Sequence, residues 1–147
     1  MYKKVIQIVW YPLILFGKPY CATKPIAIMF DIETFREYCL KKKGVTEEFP
    51  FGSDTLVYKV LGKMFALTGL EAGQFQINLK CNRDLIPELR EKYTAVQPGY
   101  HMNKDHWNTV IIDGSISQKE LIKMIDHSYD EVVRGMTKKM QEELKKM

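Results

Sequence analysis

The sequence predicts an α+β fold of two layers, a two-layer sandwich in which an antiparallel β-sheet has helices packed on one face. Three observations predict it. Segments with the period of a helix stand on both sides of a run of segments with the period of a strand. The turns that join the first strands are too short for a crossover, so these strands must pair antiparallel. Finally, a chain of 147 residues has the size of one domain.

The body of the domain begins with a helix that Asp31 caps, because an aspartate oxygen can accept a free N–H group of the first turn. Gly44 ends this helix, and the three lysines of residues 41–43 are expected to stabilise its negative end. Its apolar residues recur at the spacing of a helix: Ile32, Phe35, Cys39 and Leu40.

Residues 47–54 contain proline and glycine and are predicted to form a connection, from which Phe49 and Phe51 point inward. Two runs rich in β-forming residues follow, at residues 55–60 and 63–67. Only two residues separate these runs, so they predict a hairpin.

A second turn, residues 69–73, leads to a strand over residues 74–80, in which apolar and polar residues alternate. This alternation predicts a strand with one face exposed to solvent. The helical period returns over residues 84–93, with Pro87 tolerated only in the first turn. Residues 107–113 then predict another strand.

Ser117 and Glu120 have the spacing of a capping box and begin a long amphipathic helix. Gly135 and Thr137 separate this helix from a short terminal one. The predicted order is therefore helix, three or more strands, helix, strand, helix, helix.

Residues 1–28 stand apart from this domain. Their apolar run, residues 5–16, is too short to cross a bilayer as a helix, and Gln7 and Pro12 interrupt it. No small-residue cleavage pattern follows it, which disfavours an export signal. We expect an upstream extension, with Met29 as the natural first residue, although an extra strand packed on the domain is an alternative. The folded domain is then residues 29–147.

The charge distribution restricts the kind of partner. The chain has 22 basic and 18 acidic residues, but residues 1–28 contain four lysines and no acid. Residues 29–147 therefore carry 18 of each sign. A balanced total gives no long-range attraction to nucleic acid, so any such attraction must come from an uneven arrangement of charges.

The three cysteines, Cys21, Cys39 and Cys81, are odd in number and widely spaced. This pattern disfavours a disulfide scaffold and a zinc knuckle, and it fits a protein of the reducing cytoplasm. We expect Cys39 and Cys81 to serve as small buried apolar groups.

No catalytic or metal-binding pattern is found. His101 and His106 lack a recognised ligand spacing, so bonds to loop carbonyls are favoured over a metal site. Ser128 lies within a predicted helix, without the glycine elbow of a hydrolase. Glycine-rich phosphate-binding motifs are absent from the sequence as well. We expect no enzyme activity, no cofactor and no metal.

The loop PGYHMNKDHWNT, residues 98–109, concentrates polar and aromatic residues. Trp107 and Tyr100 could stack on nucleic-acid bases. A tryptophan at the start of a strand is more often buried, so we expect Trp107 to anchor the loop. Three residues of the loop are then free to meet a partner: His101, Asn103 and Lys104.

Lysines on the strands are the clearer functional signal. Lys59 and Lys63 flank the first hairpin turn, and Lys80 ends the strand over residues 74–80. They could converge with Lys104 into a stripe that contacts phosphates. The alternatives are protection of sheet edges against aggregation and an ordinary solvated surface of mixed charge.

Six segments in this order resemble the MmcQ/YjbR family: DIETFREYCL, GVTEEFPFG, LVYKVLGKMFAL, INLKC, PGYHMNKDHWNTV and IDHSYDEVV. The resemblance covers nearly all of residues 29–147. It implies a CyaY-like α+β fold and DNA binding through a double wing of two projecting hairpins.

Transferred to this chain, the wings implied by the resemblance are the hairpin through Leu61 and Gly62 and the one through residues 69–73. The second departs from that expectation, because its tip carries Glu71 and no cation.

The sequence thus favours a non-enzymatic cytoplasmic protein that binds DNA. If four lysines each neutralise a phosphate, the logarithm of the binding constant should fall with the logarithm of salt at a slope of about −3.6. The predicted contact residues are Lys59, Lys63, Lys80, His101, Asn103, Lys104 and Trp107.

The alternative is a binding module for a protein or a small molecule. It would use the sheet face and the loop around Tyr100 and Trp107, with Phe49 and Phe51 as further apolar lining. An exposed apolar patch beside that loop would favour this alternative.

Overall fold

The structure is a computed structural model that describes residues 29–71 and 73–147, so the predictions for residues 1–28 lie outside it. The described residues form four helices and six strands. In chain order these are α1 (Ile32–Leu40), β1 (Val45–Glu48), β2 (Thr55–Val60), β3 (Lys63–Gly69), β4 (Gln76–Lys80), α2 (Ile86–Lys92), β5 (Val96–Pro98), β6 (Trp107–Ile111), α3 (Gln118–Arg134) and α4 (Lys138–Lys146).

The six strands form one sheet in the order β1-β2-β3-β4-β6-β5. Every neighbouring pair is antiparallel. α3 packs across β2, β3 and β4, while α1 contacts β1 and α2 contacts β5. The predicted α+β sandwich is confirmed. None of the helices described is long and apolar enough to cross a bilayer.

The predicted hairpin is present between β2 and β3. Its turn residues Leu61 and Gly62 both have positive φ angles, 44° and 78°. This is the geometry of a type I′ turn, whose twist matches that of the flanking strands. Leucine is an uncommon residue at such an angle. Its side chain packs against the main core, which is the contact that favours it here.

Two strands were not located from the sequence, although the predicted three or more strands before the second helix leave room for β1. β1 and β5 form the two edges of the sheet and contain only four and three residues. Such short segments show too few alternations to be recognised, and β5 ends in a proline, which is tolerated at an edge. The sheet is therefore wider than the sequence predicted.

The main core lies between the sheet and the helices. Phe35 of α1 packs edge-on against Tyr58 of β2, with ring centroids 5.3 Å apart. The buried Ser128 of α3 has a structural role, because its hydroxyl donates to the carbonyl of Phe65 (2.5 Å) and accepts from the N–H of Lys80 (2.8 Å). These bonds tie α3 to β3 and β4.

Three predicted helix starts are confirmed by capping hydrogen bonds. Asp31 accepts from the N–H of Thr34 at 2.8 Å. Ser117 accepts from the N–H of Glu120 at 3.3 Å, and Thr137 caps α4 in the same way. The carboxylate of Glu120 does not complete a capping box, because it pairs with Lys123 of the next turn at 2.7 Å.

Lys42 does more than follow the end of α1. Its ammonium group forms an ion pair with Asp126 of α3. The same group lies 5.0 Å from the ring centroids of Tyr38 and Tyr129, and the Tyr38 hydroxyl donates to Asp126 at 2.8 Å. Lys42 therefore links α1 to α3, a role that spacing along the sequence did not indicate.

Replacement of Lys42 by glutamine should lower the free energy of unfolding by about 1–2 kcal/mol, because one ion pair and two cation–π contacts are lost. Urea denaturation followed by circular dichroism measures this change. Lys41→Gln is the matched control, since the Lys41 side chain is 76% exposed and pairs weakly at 4.0 Å. Equal effects of the two substitutions would contradict the proposed link.

Candidate binding face of the sheet

The second face of the sheet carries no helix among the described residues, and we call it the open face. One row of side chains crosses it on all six strands, because each residue pairs with the next in the strand register. In sheet order the row is Glu48, Val57, Leu67, Asn78, Thr109 and Gln97.

A small apolar cluster, separate from the main core, covers part of the open face. It consists of Val57, Leu67 and Trp107, with Met64 and Met102 packed against them. Trp107 is only 8% exposed, so its ring is not available for stacking on a base. Trp107 therefore anchors its loop to the sheet, as expected, by packing against Val57 and Leu67.

The loop between β5 and β6 folds back over the open face. The N–H of Gly99 donates to the carbonyl of Trp107 at 3.0 Å, and the N–H of Tyr100 donates to the Thr109 hydroxyl at 2.9 Å. That hydroxyl donates onward to the side-chain oxygen of Asn78 at 2.5 Å. A Cβ atom on Gly99 would lie 2.9 Å from the Cβ of Trp107, so this close approach requires glycine.

Arg90 of α2 holds the other end of this loop. Its Nε donates to the side-chain oxygen of Asn108 at 2.9 Å, and its Nη2 donates to the carbonyl of Lys104 at 2.7 Å. Asn103 is also engaged, because its side-chain oxygen accepts from the N–H of Asp105 at 2.9 Å. Arg90 could not be identified from the sequence, because one arginine on a short helix follows no motif.

Arg90→Leu should lower the free energy of unfolding by about 2–3 kcal/mol, because the substitution leaves the Asn108 side chain, which is 2% exposed, without its donor. Chemical denaturation measures this loss. Arg83→Leu serves as the control, because Arg83 is exposed and makes no side-chain bond among the described residues. A similar loss of stability in both variants would argue against the role of Arg90 in holding the loop between β5 and β6.

Two of the predicted lysines do not contribute a free charge to the open face. Lys59 lies on this face, but its ammonium group pairs with Glu48 at 2.5 Å. Lys63 is exposed beside the hairpin turn and pairs in register with Val60, whose side chain lies in the main core. By the alternation of a strand, Lys63 points to the helix side.

The other two lysines are better placed. Lys80 pairs in register with Trp107, so its side chain points to the open face. Lys104 is exposed in the loop that precedes β6, beside the same end of the sheet. Among the described carboxylates, none lies within 4.0 Å of either ammonium group.

The two turns that the resemblance implies as wings lie at opposite ends of β3. This follows from the topology, because β2, β3 and β4 are consecutive antiparallel strands. The seven residues of β3 separate the turns by about 20 Å. Lys80 and Lys104 lie at the end that carries the Leu61–Gly62 turn.

A groove of about 660 Å³ occupies the other end of the open face. Leu67, Gln76 and Asn78 belong to the strands that form its floor, and Phe51 and Tyr100 line it from two different loops. This volume is within the range of about 300–1,000 Å³ that is common for small-ligand sites.

The predicted inward orientation of the two phenylalanines was wrong. Phe49 is 51% exposed and Phe51 is 66% exposed. Both lie in the connection between β1 and β2, which extends past the end of the sheet and therefore past the core. Only Phe51 lines the groove, and Tyr100, also 66% exposed, lines it as well.

The groove differs in charge from the lysine end of the open face. Asp54 and Glu71 are among its lining residues, whereas lysine and arginine are not. His101 also lines it and has a positive φ angle of 54°. The open face thus has one end with free ammonium groups and one end with aromatic rings and carboxylates.

The expected burial of Cys39 and Cys81 is confirmed, and both are free thiols. Burial raises the pKa of Cys81 to about 11 and raises that of Cys39 further, so neither is a ready nucleophile. In residues 29–71 and 73–147, no three histidine, cysteine or acidic side chains form a group that could hold a metal ion.

Known proteins are similar to this chain in sequence. The YjbR family model matches residues 40–131. The chain is 34% identical to the Escherichia coli protein YbdF over 113 residues, which are 77% of this chain and 93% of YbdF. It is 29% identical to the Escherichia coli protein YjbR over 102 residues, covering 69% and 86% of the two chains.

Solved structures of other proteins have a similar fold. A crystal structure from Deinococcus radiodurans superposes with a TM-score of 0.73 at 36% identity, covering 79% of this chain and 88% of that one. A crystal structure from Pseudomonas syringae gives 0.61 at 28% identity, covering 70% and 99%. The sequence match and the fold lead to the same assignment: the chain belongs to the MmcQ/YjbR family.

Proposed function

We propose that this protein binds DNA through the open face of its sheet. The observation that carries the proposal is the position of Lys80 and Lys104. Lys80 points to the open face, and the exposed Lys104 lies in the loop beside the same end of the sheet. Among the described residues, no carboxylate lies within 4.0 Å of either ammonium group. Ammonium groups in this state are free to bind phosphate oxygens.

The balanced total charge limits the strength of this contact. Lys59 is neutralised by Glu48, and Lys63 points to the helix side, so about two phosphates are contacted instead of four. Binding should therefore be weak and dependent on salt. The proposed role is non-enzymatic, and the two buried free thiols support a location in the reducing cytoplasm.

Fluorescence anisotropy with labelled single-stranded and duplex oligonucleotides tests the proposal. For two phosphates on a single strand, the logarithm of the binding constant should fall with the logarithm of salt at a slope of about −1.4. Measurements between about 50 and 200 mM salt cover the useful range. Absence of binding to either DNA at the lowest salt would reject the proposal.

A small-molecule-binding module is the second candidate, and the groove favours it. Two large aromatic rings that are each 66% exposed line a concave site of ligand size. Such exposed rings are common where a partner covers them. A ligand-observed NMR screen of neutral aromatic fragments tests this candidate. Fragments that bind the wild type and lose binding in Tyr100→Ala would support it, and a screen without hits would reject it.

A further inference from the structure

We infer that the groove receives an unpaired nucleic-acid base, so that the protein prefers single-stranded to duplex DNA. This inference rests on the proposed DNA-binding function and adds to it a recognition site and a strand preference. The ligand class is a planar, uncharged heteroaromatic ring attached to a phosphate backbone.

The aromatic rings supply the first reason. Phe51 comes from the loop between β1 and β2, and Tyr100 comes from the loop between β5 and β6. Both line the groove, and both leave two thirds of their surface uncovered. Exposed aromatic rings in such a place form a platform for base stacking, which every base can use because each has a π-face.

Asn78 supplies the second reason. It is 6% exposed, lines the groove and uses its side-chain oxygen to accept from Thr109. Its side-chain nitrogen has no acceptor among the described residues. This amide nitrogen keeps access to solvent, because the Tyr58 hydroxyl is the only buried side-chain polar atom without a partner among the described residues. It can therefore donate to a ring nitrogen or carbonyl of a base that enters the groove.

The charge of the groove determines which part of a nucleotide can enter it. Asp54 and Glu71 line the groove without any lysine or arginine, so a phosphate would be repelled and a neutral base would not. Asn78 and Lys80 point to the same face of β4, about 7 Å apart. One nucleotide can span this separation, with its base in the groove and its phosphate toward Lys80.

Strand preference follows from this arrangement. Bases in a duplex are paired and stacked, so a base could enter the groove only after it had left the stack. An unpaired strand avoids most of that cost. Lys80 and Lys104 contact only phosphates, which both single-stranded and duplex DNA carry. These two lysines alone would therefore distinguish the two kinds of DNA less strongly.

The experiment compares three labelled oligonucleotides of about ten nucleotides. One is single-stranded oligothymidine, one has the same backbone with abasic residues, and one is the corresponding duplex. We expect oligothymidine to bind about tenfold more tightly than either of the others. Phe51→Ala and Tyr100→Ala should each lower its affinity about tenfold and leave abasic binding unchanged.

Phe49→Ala is the matched control, because Phe49 belongs to the same loop and is exposed but does not line the groove. Tyr100→Phe keeps the stacking ring and should retain the affinity, which separates stacking from misfolding. Equal affinities for oligothymidine and the abasic strand would overturn the base site and leave the DNA-binding proposal standing. Failure of all three oligonucleotides to bind would instead reject the proposed function itself.

Discussion

Replacement of both Lys80 and Lys104 by glutamine is expected to weaken single-stranded DNA binding about thirtyfold at low salt. Each lost phosphate contact accounts for about 1 kcal/mol, and every 1.4 kcal/mol is a factor of ten. The salt slope should fall toward zero, because the neutral side chains release no counterions. Anisotropy titrations at several salt concentrations measure both quantities.

The matched control removes two positive charges at other positions. Lys41→Gln with Lys63→Gln changes the net charge equally, but Lys41 follows α1 and Lys63 points to the helix side. This control should keep most of the affinity. A loss as large as that of the Lys80 and Lys104 variant would mean that total charge, and not the open face, determines binding.

Trp107→Ala is expected to lower the free energy of unfolding by about 3–5 kcal/mol, the usual cost of emptying a buried tryptophan site. Trp107 packs with Val57 and Leu67, and its carbonyl accepts from Gly99 and Arg90. Loss of the ring removes the support of the loop between β5 and β6. Urea denaturation followed by circular dichroism measures the change.

Tyr100→Ala provides the comparison, because the Tyr100 side chain is 66% exposed in the same loop. Its removal should change the stability by about 0.5 kcal/mol or less. If Trp107→Ala were equally mild, the small apolar cluster would not be a second core, and the tryptophan would have to be reconsidered as a free stacking surface.

Most of the helices and the central strands could be predicted because their signals are local. Asp31, Ser117 and Thr137 accept the hydrogen bonds expected of caps. β2 begins and ends at the predicted residues, because two β-rich runs around a two-residue turn leave little freedom of register.

The edge strands and the open face were harder to predict for physical reasons. β1 and β5 are stabilised mainly by pairing with a longer neighbour, which a short segment does not reveal. The strand over residues 74–80 was expected to have one solvent-exposed face, yet Asn78 is buried because a loop from elsewhere in the chain folds over it.

The lysine stripe could be predicted only in part. Lys59 and Glu48 are eleven residues apart, and their ion pair depends on the register of β1 with β2. The groove depends on three connections that meet at one end of the sheet. Neither the register of an unrecognised strand nor a meeting of distant loops can be derived from spacing along one sequence.

The most direct test of the open face as the binding surface is a heteronuclear NMR titration of the protein with single-stranded oligothymidine. Amide signals of β4, of residues 99–106 and of the loop around Phe51 should shift on addition of DNA, while those of α3 and α4 stay in place. Shifts confined to the helices or to the Leu61–Gly62 turn, with β4 unchanged, would contradict binding at the open face.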